Sequence, residues 1–190
     1  MEITRERYTE RDPHLGGQEA FTLRARFPWQ RELQTRVMVE ITTDEPVLRD
    51  PVVRQVIHGY GEAYDTAIQA YALEEVVAEK LRAILQHVEH VERRGWSRSR
   101  ARDYYDLWRI LGEHRSALDL SGFSELLSRK CEVRGVSFEV VDDAFQPVIL
   151  EQVERTWDQW LGQLVPDLPG YQRVVGELRP MIAEILTDGS

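Results

Sequence analysis

Two charged residues stand where a helix should carry apolar ones. Lys80 follows Val77 by three residues and Val76 by four, and precedes Ile84 by four. On a helix turning by about 100° per residue it therefore falls within the buried stripe. Asp103 precedes Leu107 by four residues and Ile110 by seven, at the edge of the packed face of the next helix, with Asp106 just outside it. A charge on an apolar face costs desolvation energy unless it has a partner or a task. If the two helices pack antiparallel through a short loop, Lys80 and Asp103 can face one cleft. An ammonium beside a carboxylate is a common grip for a metal-bound triphosphate. The bland alternatives are that Lys80 snorkels to water and that Asp103 is a first-turn acid favoured by the helix dipole. By the same projection Glu75, Glu79 and Arg82 lie on the opposite face as ordinary solvent-facing charges.

Three further groups could do chemistry. Arg93, Arg94, Arg98, Arg100 and Arg102 surround Trp96 in the segment RRGWSRSRAR, which reads either as a solvated interhelical loop or as a phosphate or RNA contact. Arg102, immediately before Asp103, joins Lys80 as a candidate nucleotide-binding residue. His87 and His90, with Glu89 and Glu92, have a spacing that could share a metal, but no third ligand cluster accompanies them, so surface histidines are the better account. His87 projects near Lys80 and could line the same cleft.

These residues must be held by two kinds of element. The first third reads as β: Ala20 to Phe27 alternates apolar with polar, and Thr35 to Ile41 repeats a β-branched pattern, as neighbouring strands do. Pro46 and Pro51 interrupt regular structure, and a short extended stretch near Ala67 to Ala72 leads into helices. From Leu73 the period becomes helical, with Val76, Val77, Leu81, Ile84, Leu85 and Val88 on one face. A second helix runs from Arg100 to about Gly112 with Ser99 as its N-cap. Others cover Ser121 to about Arg134, Val148 to Leu164, and a last one through Val174 to Ile185 that Pro180 should break or kink. The expected organisation is a β-rich segment over 1–72 and a helical domain over 73–190, an α+β fold.

Composition sets outer limits. The chain has 190 residues, a formal net charge of −9 and a single cysteine, Cys131. Its length can bury a core without staples. One cysteine allows no intramolecular disulfide and no cysteine-based zinc site, as befits a reducing cytosol. The acidic balance argues against a general nucleic-acid coat protein, since phosphate binding needs a positive surface, and leaves room only for local patches. The first residues are charged and lead into no apolar run, so no signal peptide or membrane span is expected and the location should be cytoplasmic.

At the lysine and aspartate helices the sequence resembles a known family. Leu73-Glu74-Glu75-Val76-Val77-Ala78-Glu79-Lys80-Leu81-Arg82-Ala83-Ile84-Leu85, followed by Ala101-Arg102-Asp103-Tyr104-Tyr105-Asp106-Leu107-Trp108, is similar to the paired helical motifs of the AbiEii/AbiGii nucleotidyltransferases. Either half alone would be weak, and both in order and spacing are specific. The strand Val37 to Ile41 and the Asp/Glu-Pro segment after it match the family's layout, and the resemblance thins beyond Asp119. It implies a partial polymerase-β-like nucleotidyltransferase sheet followed by an α-helical bundle. It also implies a toxin of a type IV toxin–antitoxin or abortive-infection system active in phage defence, using a nucleoside triphosphate and Mg2+, with some members modifying tRNA 3′ ends. Carried over, Lys80 would contact the triphosphate and Asp103, or less readily Asp106, would complete the catalytic centre. Glu40 would be a third, metal-binding carboxylate, although a solvent-facing glutamate on an edge strand also fits its place.

The departure from the family is as informative. Members carry a Gly-Gly or Gly-Ser turn and then an Asp-x-Asp pair that holds catalytic metals. Here Gly16-Gly17 is followed by no such pair and no Asp-x-Asp occurs. Two-metal transfer needs converging carboxylates, so Mg2+ and triphosphate use are conditional on a completed site. One expectation is a toxin whose missing motif is supplied by an upstream segment or a second polypeptide. The other is a degenerate, non-catalytic protein that docks an antitoxin or RNA. A cognate antitoxin, a tRNA acceptor and a second copy paired along an open sheet edge are the partners implied.

Overall fold

The computed structural model describes residues 2–7, 18–32, 35–42, 45–57, 65–94 and 99–187. Three strands, β1 (Glu2–Arg7), β2 (Gln18–Arg26) and β3 (Thr35–Thr42), form an antiparallel sheet in the order β1-β2-β3. Its register sets Phe21 opposite Val39 and Leu23 opposite Val37. Directly opposed residues share a face in a pleated pair, so the alternation gathers these apolar side chains on one side. A second hairpin pairs β4 (Val52–Gln55) with β5 (Ala67–Ala70).

Among the described residues five α-helices follow: α1 (Leu73–Arg94), α2 (Ala101–Glu113), α3 (Phe123–Val133), α4 (Pro147–Leu161) and α5 (Tyr171–Thr187). Small antiparallel sheets followed by helices make the fold α+β. The chain divides into two compact units, Met1–Pro46 and Val47–Ser190, so the β4–β5 hairpin falls in the same unit as the helices.

The helical stripes converge on one core. Val77, Leu81 and Ile84 of α1, Tyr104 and Leu107 of α2, Phe123 and Leu127 of α3, Val153 and Trp157 of α4, and Leu178 and Ile182 of α5 are all buried in it. Burial of this kind, at about 25 cal/mol per Å2 of apolar surface, fixes which face of each helix turns inward.

Two local expectations are corrected. The N-cap of α2 is Arg100, not Ser99. Ser99 still contributes, because its Oγ accepts the Ala101 N–H at 3.2 Å. Pro180 lies inside α5, which continues to Thr187, so of the expected break or kink the break does not occur. It sits on the exposed side, where the carbonyl it leaves without a donor can be hydrated. Among the described residues no helix is long and apolar enough to cross a membrane.

Candidate functional site

The apolar stripes of α1 and α2 pack together and carry their misplaced charges to one spot. Lys80 Nζ donates to Asp103 Oδ1 at 3.2 Å and to Asp106 Oδ2 at 2.7 Å. Asp103 and Asp106, three residues apart, share a helix face, which lets one ammonium reach both. Arg100, at the start of α2, donates to the other oxygen of Asp103 at 3.2 Å. The group is sheltered: the side chains of Lys80 and Asp103 are only 22% and 18% exposed, while Asp106 opens further to solvent.

The electrostatics favour a permanently charged lysine. Burial alone pulls the Lys80 ammonium down, but the hydrogen bond to Asp106 and the charges of Asp103 and Asp106 outweigh it and hold the group above its ordinary 10.5. Two cations and two carboxylates balance, so Lys80 is a charge donor to anions rather than a proton acceptor.

His87, two turns beyond Lys80 on α1, is fully buried rather than a surface histidine, which corrects the expectation for it. Its Nε2 meets Gln152 Oε1 of α4 at 2.9 Å, and its Nδ1 has no hydrogen-bond partner from the protein. Burial pushes the imidazole below its ordinary 6.5, against the pull of the Gln152 hydrogen bond. It is buried because α4 covers this side of α1, which the α1 sequence alone does not reveal.

Arg102 points elsewhere. It is exposed, and its guanidinium lies 5.2 Å from the ring centroid of Trp160 on α4. Glu40 belongs to the N-terminal unit, exposed on β3 opposite Ala20. Gly16, Gly17, residues 95–98 and the side chains of Glu89, Glu92, Arg93 and Arg94 lie outside what the structure describes. Much of the arginine segment around Trp96, and two of the acids beside the histidines, fall there.

The donor set limits what the centre can hold. Carboxylate oxygens suit a hard divalent cation, but Asp103 and Asp106 are two ligands, both engaged by cations. Among the described residues no group of three or more His, Cys, Asp or Glu could hold a metal ion. Asp103 and Asp106 alone are too few to make a metal site.

A second ionic cluster escaped the sequence reading. Glu75 and Lys130 are 1% and 2% exposed, with Lys130 Nζ at 2.6 Å from Glu75 and 3.1 Å from Glu79. Glu75 Oε1 also accepts the Arg49 N–H at 2.7 Å, and Glu74 Oε1 accepts the Asp119 N–H at 2.6 Å. Glu75 is therefore not the solvent-facing charge expected, because α3 and the segment before β4 cover that face of α1. The signal was present in α3, where Lys130 follows Leu126 by four residues and Leu127 by three. The projection that singles out Lys80 singles out Lys130 as well.

The geometry of the lysine–aspartate pair falls where the family motifs lie. The family model described as "Nucleotidyl transferase AbiEii toxin, Type IV TA system" matches residues 2–180, well past Asp119, where the resemblance of individual motifs thins. No curated protein and no solved structure matches the chain. With nearly its whole length matched, the chain belongs to the AbiEii family of nucleotidyltransferase toxins of type IV toxin–antitoxin systems.

Proposed function

We propose that the Lys80–Asp103–Asp106 centre engages a metal-bound nucleoside triphosphate and that its nucleotide is transferred to a hydroxyl of an RNA acceptor with release of pyrophosphate, tRNA being the class the family points to. The observation that carries this reading is the single ammonium held by two carboxylates of the neighbouring helix. Such a group can exchange partners with a metal–triphosphate: Lys80 turns to phosphate oxygens, and the two aspartates turn to the cation. Family membership supports triphosphate and divalent-metal use and an antitoxin as partner.

The chain has no Asp-x-Asp pair, and in-line nucleotidyl transfer needs more carboxylates than Asp103 and Asp106 provide. Turnover therefore requires that pair from another segment or polypeptide. Glu40 is the carboxylate of the N-terminal unit offered for the metal, and Glu40→Gln tests it in the assay below.

A second reading is a non-catalytic toxin-like protein that docks its antitoxin or RNA. It is favoured by the charge balance of the centre, whose two cations and two carboxylates are paired with one another. Incubation with α-labelled ATP, CTP, GTP or UTP, Mg2+ and total RNA, in a cell extract that can supply the missing Asp-x-Asp pair, separates the two. Label on RNA that is lost in Lys80→Ala and Asp103→Asn establishes transfer, whereas triphosphate binding without labelled product leaves the binding role. Two copies pairing along an edge of the β1-β2-β3 sheet is a further expectation, and sedimentation equilibrium decides it.

A further inference from the structure

We infer that Arg100 is a second phosphate ligand of the Lys80 centre, where the sequence alone points to Arg102; the inference rests on the triphosphate reading above. The two arginines are neighbours in the chain but not in the fold. Arg102 turns to α4, with its guanidinium 5.2 Å from the ring centroid of Trp160. Arg100 turns to the centre, where its Nη1 donates to Asp103 Oδ2 at 3.2 Å. Lys80 Nζ donates to the other oxygen of that carboxylate, Oδ1, also at 3.2 Å. One carboxylate thus holds two cations, one on each side.

That arrangement has a consequence when a metal arrives. If Asp103 turns to the cation, it leaves Arg100 as well as Lys80 without a counter-charge. The Arg100 side chain is only 29% exposed, and among the described residues Asp103 is its sole anionic partner. His87 offers no substitute, because its buried imidazole is held toward the neutral form. The Nε of Arg100 is itself buried without a hydrogen-bond partner. Stranding a sheltered guanidinium is costly, so a ligand that draws Asp103 away must bring an anion for Arg100. A magnesium triphosphate carries both signs. Its cation can take the two carboxylates, and its phosphate oxygens can take the two cations.

Distances agree with such an exchange. Charge-assisted N–H to carboxylate bonds run at about 2.7–2.9 Å. The Lys80 bond to Asp106, at 2.7 Å, lies in that range, whereas both bonds to Asp103 are longer. Asp103 therefore grips its two cations more loosely than Asp106 grips Lys80. The planar fork of a guanidinium suits phosphate oxygens, and an ammonium on the other side suits their neighbours along the chain.

The test titrates the full chain with inorganic tripolyphosphate and Mg2+ by calorimetry, and then with the four nucleoside triphosphates. Arg100→Gln should weaken tripolyphosphate binding roughly tenfold or more. Arg100→Lys keeps the charge and loses the fork, so its affinity should fall between wild type and Arg100→Gln. Arg102→Gln should stay within about threefold of wild type. A double-mutant cycle separates a phosphate ligand from a residue that only positions Asp103. A ligand keeps its effect in an Asp103→Asn background, and loss of that effect there overturns the inference. Undiminished tripolyphosphate affinity in Arg100→Gln, with Lys80→Ala impaired, removes Arg100 alone. A loss in Arg102→Gln with none in Arg100→Gln gives the role back to Arg102. Absence of binding of tripolyphosphate and of all four triphosphates by the wild-type chain removes the triphosphate reading, and the role of Arg100 with it.

Discussion

Lys80 and Lys130 show how one rule yields two outcomes at the scale of single residues. Each sits on an apolar helix stripe and each is paired with two carboxylates. Lys80 keeps contact with solvent, whereas Lys130, on α3, is sealed against α1. Removing one partner of a buried pair strands the other charge. Lys130→Met should therefore cost about 3–5 kcal/mol in urea unfolding, while leaving Lys80 and its aspartates in place. His87 adds a pH dependence. Its folded pKa lies below the unfolded 6.5 because of burial, with Arg100, His90 and Asp103 as the facing charges. The unfolded chain thus binds the proton first as pH drops, so this contribution to stability is complete above 6.5 and is lost as pH falls from there through the depressed value. Urea midpoints should decline between about pH 7 and pH 5, and His87→Gln should flatten that slope.

The elements were legible where one segment's own pattern determines them. The alternation over Ala20 to Phe27 and Thr35 to Ile41 marks β2 and β3, and the period from Leu73 marks the start of α1. β1 was not legible, because Glu2–Arg7 holds one aliphatic residue, Ile3, and becomes a strand by pairing with β2. β4 was hidden by Pro46 and Pro51, which precede it, and exists through its register with β5. The burial of Glu75 and His87 was hidden for the same reason, since it depends on α3 and α4 covering faces of α1. The start of α3 illustrates a local constraint. Gly122 caps it with a φ of 65°, and nothing crowds the space a side chain would fill. Gly122→Ala should therefore cost about 1 kcal/mol through backbone conformation alone, measurable as a small fall in thermal midpoint with the helix content kept.

At the scale of the whole molecule, family and centre were legible together because the motif pair that identifies the family is also the pair that builds the ionic centre. A lysine on one helix and two aspartates on the next carry both, and the match extends over residues 2–180. The contact of Arg102 with Trp160 was not legible, since it joins residues far apart in the chain whose meeting depends on how α4 lies on α2. The central claim is that the Lys80 ammonium is a phosphate ligand on loan to two carboxylates. Isothermal titration of the chain with ATP, CTP, GTP and UTP in the presence of Mg2+ tests it most directly. At least one triphosphate should bind, and Lys80→Ala should weaken that binding by roughly tenfold or more, the scale of a charge-assisted contact worth about 1.5–3 kcal/mol. Triphosphate binding of undiminished affinity in a folded Lys80→Ala variant, or no binding of any of the four by the wild-type chain, would contradict it.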